Sequence, residues 1–490
     1  MRRFFAIVST VSQINLALMV VALINGLAFL IYYVVAGDVK GYATTINYLK
    51  ATIVLAMLWS VLTYALREYI IESPIDAMIV TAFVWLTVPF SSSVIYNIAI
   101  GMNSLDSFFE SISGFSGTGL TVIANLESIP YVVLTWRAIT QWLGELGTVV
   151  VAGIVLPFLH ASLLKVYSIE RGPKFASTIR RSVVGLFTMY LAYTLLGSFL
   201  LVVSGMSFID ALTHSMTAIA TGGMSTKTEN IGYWYFRRNS MILVTTSIVM
   251  IIGALNFRDL KMLSTGNLKG FAKSSEVRGF FAILLALIVT TVIASIVLNI
   301  GNDIAVLIYH VISGYTTTGF QVGDIKSYPT ILKAILIISM AIGGATFSTA
   351  GGIKTRRAVI ALKSILWDIE RAVLPREYRV VKRIGEEVLD DEIVASTITY
   401  IIIYILFQIL LSTSLYLCLV INNIKEFDYI DAMFEVTSAL SCVGLSVNIT
   451  SPTLPILAKV ILIMAMYLGR LEFLPLYLLL GYYYRRKALL

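Results

Sequence analysis

Four stretches of this chain repeat one arrangement of residue types. They run from Asp106 to Gly119, Asp210 to Gly223, Val306 to Gly319 and Asp431 to Gly444, and they align without gaps. Each is a short amphipathic segment followed by a tail of small residues ending in glycine. The tails are Ser116, Gly117, Thr118 and Gly119; Ala220, Thr221, Gly222 and Gly223; Thr316, Thr317, Thr318 and Gly319; and Ser441, Cys442, Val443 and Gly444. Such tails offer little side-chain chemistry. What they offer is backbone: carbonyl oxygens unobstructed by bulk can replace the hydration shell of a cation, and glycine permits the dihedrals this requires. A half-length helix before each tail would direct the partial negative charge of its C-terminal end at the same ion. Asp106, Asp210 and Asp431 stand where helix N-caps are expected.

Other residues of chemical interest fall around this pattern. Glu110, His214, His310 and Glu435 share one position, nine residues before each terminal glycine. By type they resemble a metal set. A place early in each half-helix spreads them apart, so packing or hydrogen bonding behind the tails is the expected role. A run from Gly343 to Gly352 interrupts an apolar stretch with Gly343, Gly344, Ser348, Thr349, Gly351 and Gly352. Broken backbone at membrane depth survives only where protein or a water-filled cavity satisfies it, and this loop is expected to form a movable constriction. Arg470 lies within the last apolar stretch, where a charge is costly and faces a cavity or a partner; the alternatives are a pair with Glu472 or snorkelling. Cys418 and Cys442 lack metal-ligand spacing. No Ser/His/Asp set, phosphate loop or paired catalytic carboxylate stands out. Glu386, Glu387, Asp390, Asp391 and Glu392 read as the start of a helix rather than a metal motif, so an enzyme, such as a lipid-linked transferase, has little support.

The elements that position these residues follow from composition. Of 490 residues 58% are hydrophobic and 13% charged, about half the charge of a soluble chain; mean hydropathy is +0.86. A water-facing multidomain enzyme, a disordered chain and a nucleic-acid binder are excluded. Apolar runs long enough to span a bilayer fall near 12–35, 46–66, 76–98, 132–158, 183–204, 239–256, 279–300, 330–358, 394–421 and 455–482. With ten spans, 25 of the 36 basic residues lie on one face, and the positive-inside rule places both termini in the cytoplasm. The net charge of +8 is therefore mainly topological, with a docking face for an acidic partner or anionic lipid as a secondary use. The terminal glycines stand 104, 96 and 125 residues apart, each between two spans. The expected fold is an all-α polytopic membrane protein with ten transmembrane helices and four helix–pore-loop–helix repeats around one pseudo-fourfold pore. Residues 1–70 form an extra N-terminal helix pair. The repeats cover 71–160, 180–260, 278–365 (with a broken second helix) and 390–490.

The four pore loops resemble those of the Trk/Ktr/HKT superfamily of potassium transporters, over nearly the whole chain. The resemblance also rests on Gly351-Gly352-Ile353-Lys354 preceded by Ser348-Thr349-Ala350, on Gln141-Trp142-Leu143-Gly144 and on Gly469-Arg470-Leu471-Glu472. Ten spans and this ending are most similar to the Trk-type pore subunit. The resemblance implies a plasma-membrane homodimer with one pore per subunit. It also implies K⁺ at the filter carbonyls, and a cytoplasmic ring of nucleotide-binding regulatory subunits. No G-x-G-x-x-G follows a strand here, so no nucleotide is expected on this chain. Glycine at all four tail ends goes with potassium preference, whereas the sodium-transporting plant branch has serine in the first. The superfamily carries an arginine at the place of Arg470, facing the pore below the filter and pairing with the glycine-rich loop when closed. Glu145 stands where the superfamily often has glycine, and Phe347 is bulkier than the usual residue. The expected activity is gated potassium uptake; a K⁺/Na⁺ or K⁺/H⁺ symporter of the same fold is the alternative.

Overall fold

The computed structural model describes residues 1–71, 73–147, 179–299, 303–375, 380–473 and 481. The expected span ends at 158 and 482 lie outside them, as do His160, Lys165, Arg171, Lys174, Arg376, Arg379, Arg485, Arg486 and Lys487.

Two long helices, Arg2–Ala36 and Val39–Ala65, open the chain as a hairpin. Gly37 takes a left-handed φ of 67° at the turn, and the Asp38 side chain accepts from the Gly41 amide. The pair is tied to the rest by buried polar contacts suited to an apolar medium. Asn15 donates to Val11 O and Thr87 Oγ1 and accepts from Ser91 Oγ, while Asn25 donates to Val132 O at 3.0 Å.

The chain then passes four times through one sequence of elements. A long outer helix leads to a half-helix, a tail and a shorter inner helix. The outer helices are Pro74–Ile100, Ile179–Val203, Ser275–Val297 and Asp391–Ile421. The half-helices are Ser104–Phe115, Phe208–Ile219, Ile304–Tyr315 and Tyr429–Leu440, each of 12 residues. At 1.5 Å per residue they reach about 18 Å, well short of the roughly 30 Å hydrocarbon core. The inner helices are Tyr131–Leu146, Met241–Ala254, Thr330–Ile342 and Ile456–Arg470, of 16, 14, 13 and 15 residues.

Helices therefore stand at all ten expected places, but not all as continuous spans. Six described helices are long and apolar enough to cross a membrane, or seven if one bent pair counts as a single span. The run expected over 239–256 is that pair: it turns by 115° between Ala254 and Phe257 into the helix Phe257–Ser264. Only the third inner helix was expected to break. The second also bends sharply, and the fourth ends in a turn in which Glu472 and Phe473 have φ of 48° and 55°.

A second correction concerns the half-helix starts. Asp106, Asp210 and Asp431 are not the N-caps. The caps are Asn103, Ser207, Asp303 and Asp428. The expected aspartates lie three residues in, where they donate their amides to the cap side chains. Asp428 and Asp431 form a reciprocal capping box, which satisfies two orphan N–H groups at once. This placement leaves the aspartate side chains available to the neighbouring repeats. Lys333 on the third inner helix meets Asp431 of the fourth half-helix at 2.6 Å, and Lys459 on the fourth inner helix meets Asp106 of the first at 2.5 Å. All four side chains are at most one-tenth exposed. Asp210 instead accepts from Thr226 Oγ1 and Tyr131 OH.

Between the third and fourth repeats, Thr355–Val373 forms an amphipathic helix and Arg383–Ile384 pairs antiparallel with Glu387–Val388. Glu387 pairs with Arg356 and Asp391 with Lys382. Asp390 precedes the outer helix and Asp391 and Glu392 occupy its first turn, where the helix dipole favours acidic groups.

Substituting Lys459 by methionine strands the Asp106 carboxylate in a buried site. Removing one partner of a buried pair costs about 3–5 kcal/mol, so the thermal midpoint of the detergent-solubilised protein should fall. Asp106→Asn in the same chain should recover most of the loss; a double variant as unstable as the single would refute the pairing.

Candidate cation pathway

The four tails meet in a closed ring. A Cβ built on Gly119 would stand 2.1 Å from Gly222 O, one on Gly223 2.0 Å from Thr318 O, one on Gly319 1.9 Å from Val443 O, and one on Gly444 2.2 Å from Thr118 O. Each terminal glycine thus faces the carbonyl just before the next terminal glycine, and the fourth tail returns to the first. The four glycines have φ of 87°, 67°, 85° and 99°, the left-handed region that side chains disfavour. Two positions earlier, Gly117, Thr221, Thr317 and Cys442 also have positive φ. The tail amides turn back onto their own half-helices: Thr118, Gly222, Thr318 and Val443 N–H donate to the carbonyls of Ser113, Thr217, Ser313 and Ser438 at 2.8–3.0 Å. With the donors directed away, the side facing the ring is rich in acceptors, which suits a cation.

Behind the ring stand the four equivalent side chains, all fully buried. Glu110 accepts from Val122 N, Thr121 Oγ1 and Arg137 Nε, the last at 2.7 Å. Glu435 accepts from Val447 N, Thr450 N and Ser446 Oγ. His310 Nε2 accepts from Val322 N at 3.0 Å, and His214 Nε2 lies 2.9 Å from Ser225 Oγ. Each holds the chain just beyond its own terminal glycine. Among the described residues no group of three or more His, Cys, Asp or Glu could hold a metal ion. Gln141, on the first inner helix, reaches the ring itself. Its Nε2 donates to Gly222 O at 2.5 Å and its Oε1 accepts from Met224 N, leaving one lone pair of that carbonyl for other use. At the outer surface Glu127 binds the Thr228 amide and hydroxyl. Desolvation raises its pKa, but those hydrogen bonds and the nearby Lys227 charge outweigh it and hold the carboxyl below its usual range.

The run Gly343–Gly352 lies against the half-helix ends on one side of the ring. A Cβ on Gly351 would stand 1.9 Å from Ser441 O and 3.2 Å from the Cys442 Cβ. Gly351 N donates to Thr317 Oγ1 at 2.8 Å. Thr349 Oγ1 lies 2.9 Å from both Ile219 O and Gly253 O and 3.2 Å from Thr221 Oγ1. The loop folds on itself as Gly343 meets Gly351 O and Ser348 Oγ donates to Ala345 O. It is moored to the bend in the second inner helix through Ala345 N to Ala254 O and Phe257 N to Phe347 O, and its Thr346 amide binds Glu276. An open cavity of about 2100 Å³ reaches Thr346 and Phe347 past Arg258, Lys261 and Glu276.

Arg470 meets neither of its two expected alternatives. Glu472 pairs with Arg357 at 2.8 Å. Arg470 Nη1 binds Glu145 Oε1 at 2.6 Å and Nη2 binds Gly144 O, with the guanidinium 4.4 Å from the Trp85 ring centroid. Glu145, for which the sequence offered no role, is the partner.

The structure thus brings Gly119, Gly223, Gly319 and Gly444 and the carbonyls just before them into one ring, and sets Thr349 and Gly351 of the loop against Thr221, Thr317 and Ser441. Sequence reasoning missed Lys333, Lys459, Arg137 and Glu276. Single buried charges in apolar runs were the available signal for the first three; Glu276, at a helix start, gave none.

The family profile described as "TrkH: Cation transport protein" matches residues 45–482. The chain is 29% identical to the Trk system potassium uptake protein TrkH of Escherichia coli K12 over 92% of each chain. It is 30% identical to the Trk system potassium uptake protein TrkH of Halomonas elongata, over 81% of this chain and 83% of that one. The crystal structure of the potassium transporter TrkH from Vibrio parahaemolyticus matches with a TM-score of 0.82 at 25% identity, covering 97% of this chain and 98% of that one.

If the loop closes off the tails, loosening it should expose Cys442. In a Cys418→Ser background, Gly351→Ala is expected to speed maleimide labelling of Cys442 by about tenfold, equivalent to ~1.4 kcal/mol. An unchanged labelling rate would count against a plugging position.

Proposed function

The chain belongs to the TrkH family of cation transport proteins, and from that premise we propose how it takes up potassium. The protein is a K⁺ uptake transporter of the Trk kind. In our reading K⁺ sheds water into the ring formed by Ser116–Gly119, Ala220–Gly223, Thr316–Gly319 and Ser441–Gly444. The observation that carries this reading is the ring's closure, with each glycine against the neighbouring repeat's carbonyl. Four short helices end at it, each with the partial negative charge of its C-terminus. Buried side chains hold the tails from behind, so the oxygens are spaced by the fold and not by the ion. Ions move down their electrochemical gradient, inward at a negative membrane potential. The domain division into a helix pair at 1–70 and repeats at 71–160, 180–260, 278–365 and 390–490 belongs to the same reading.

The loop of Gly343, Gly344, Ser348, Thr349, Gly351 and Gly352, with Arg470, acts as the gate. Its contacts with Thr317, Thr221 and Ser441 support this, since a plug there closes the path on the side away from the outer mouth. The chain acts in the plasma membrane with both termini cytoplasmic, as a homodimer whose outer helices face membrane lipid. A cytoplasmic ring of nucleotide-binding subunits moves the gate. The basic residues after the third repeat and the open cavity at Phe347 support docking on that face. The chain itself carries no nucleotide, performs no catalysis and binds no nucleic acid.

Flux in liposomes tests this reading. K⁺ should enter faster than Na⁺ and follow an imposed potential without a Na⁺ or proton gradient. A flux that requires either gradient would instead establish symport. Gly119→Ser places a Cβ against Gly222 O and should lower K⁺ over Na⁺ discrimination by about tenfold, ~1.4 kcal/mol; unchanged selectivity in an inserted protein would sink the filter assignment. Deleting part of Gly343–Gly352 should raise flux, and indifference to the deletion would remove the gate.

A further inference from the structure

The underside of the ring differs in one repeat. In repeats two to four the third-from-last tail position carries a side chain, Thr221, Thr317 or Cys442, and all three lie at the gating loop or its neighbours. In the first repeat that position is Gly117. The space a side chain would take there is filled: a Cβ on Gly117 would stand 2.2 Å from Glu145 Oε1. The Glu145 carboxylate, 2% exposed, thus completes the underside of the ring from the last turn of the first inner helix. That turn is the negative end of a helix dipole, an unfavourable place for a carboxylate without a cation. The cation is Arg470, from the last turn of the fourth inner helix, at 2.6 Å. Arg470 also donates to Gly144 O and lies over Trp85, so three contacts hold it against the first repeat.

We propose that Glu145 is a conductance-determining residue: its carboxylate neutralises Arg470 directly beneath the filter and removes the barrier that the bare guanidinium would raise against K⁺. The inference rests on the reading of the four tails as the ion path. An unpaired positive charge close to that path repels each passing cation, and the surrounding low dielectric strengthens the effect. A carboxylate in contact with the guanidinium leaves a dipole, whose field falls off faster with distance. Removing either partner changes the net charge at this point by one unit, with opposite sign. The two losses should therefore act in opposite directions and cancel in combination, which loss of packing would not do.

The test is a charge cycle on the full-length protein in liposomes, read by rubidium flux. Glu145→Gln keeps the shape and a hydrogen-bond acceptor but strips the charge; flux should fall by about tenfold, the effect of one uncompensated charge roughly 10 Å from the ion at an effective dielectric constant near 20. Arg470→Gln leaves the carboxylate alone and should make flux more sensitive to barium on the side of the gating loop. The double variant should return to near wild-type flux and barium sensitivity. A wild-type flux in Glu145→Gln, or a double variant as impaired as Glu145→Gln, overturns the proposal. Should Glu145→Gln not assemble, the barium response of Arg470→Gln decides: an unchanged response overturns it. Wild-type protein that carries no rubidium would refute the potassium-path reading itself and not this inference alone.

Discussion

At four places in this molecule the backbones of adjacent tails touch, and most of its architecture serves those places. At Gly119, Gly223, Gly319 and Gly444 a single added carbon would overlap the carbonyl oxygen of the adjacent tail. The contact is cyclic, so an error at one junction passes to all four. Closure requires the half-helices to end at one depth. The reciprocal links between repeats serve that end: Lys333 with Asp431 and Lys459 with Asp106 at the half-helix starts, and the inner-helix glycines at the half-helix ends. A Cβ on Gly144, Gly253 or Gly469 would stand 1.9–2.7 Å from Phe115 O, Ile219 O or Leu440 O. Backbone against backbone is a stiffer spacer than any side chain, because it has no rotamers to change.

The low dielectric of the surroundings explains why so many polar groups are paired in a chain with so few charges. Glu110 and Arg137 are essentially fully buried and lie 2.7 Å apart. A lone charge there would cost several kcal/mol, while the pair together fixes the chain beyond Gly119. The same logic covers the broken inner helices. Unwound backbone in a membrane requires internal partners, and the run Gly343–Gly352 finds them in Thr317, Ala254 and Phe257. The loop is held by a few hydrogen bonds to other elements rather than by a helical ladder. Such a segment can change position without unfolding its neighbours.

Much of this ring is legible in the order of the residues. The four gapless stretches, their small tails and their terminal glycines point to one closed arrangement, because only glycine serves where backbones touch. The broken run is legible for the same reason. The half-helix caps lie three residues before the aspartates that residue type suggested: an aspartate serves equally well by type at the cap or three residues within, and only the backbone dihedrals distinguish them. The other three inner helices read as ordinary spans, since apolar residues continue past the point where the second bends by 115°. Hydropathy reports the solvent around a segment and not the direction of its axis.

The sequence alone determined that this chain is a multi-span membrane protein and that one arrangement of residue types recurs in it four times. Those properties follow from composition and local residue type, which need no partner to express. Tertiary structure decided which charges meet. Glu145 and Arg470 are 325 residues apart, and nothing in either segment names the other. Lys459 and Asp106 are 353 apart. Pairing of this kind is set by how the first and fourth repeats close the ring, a property of the assembled fold and not of any one segment.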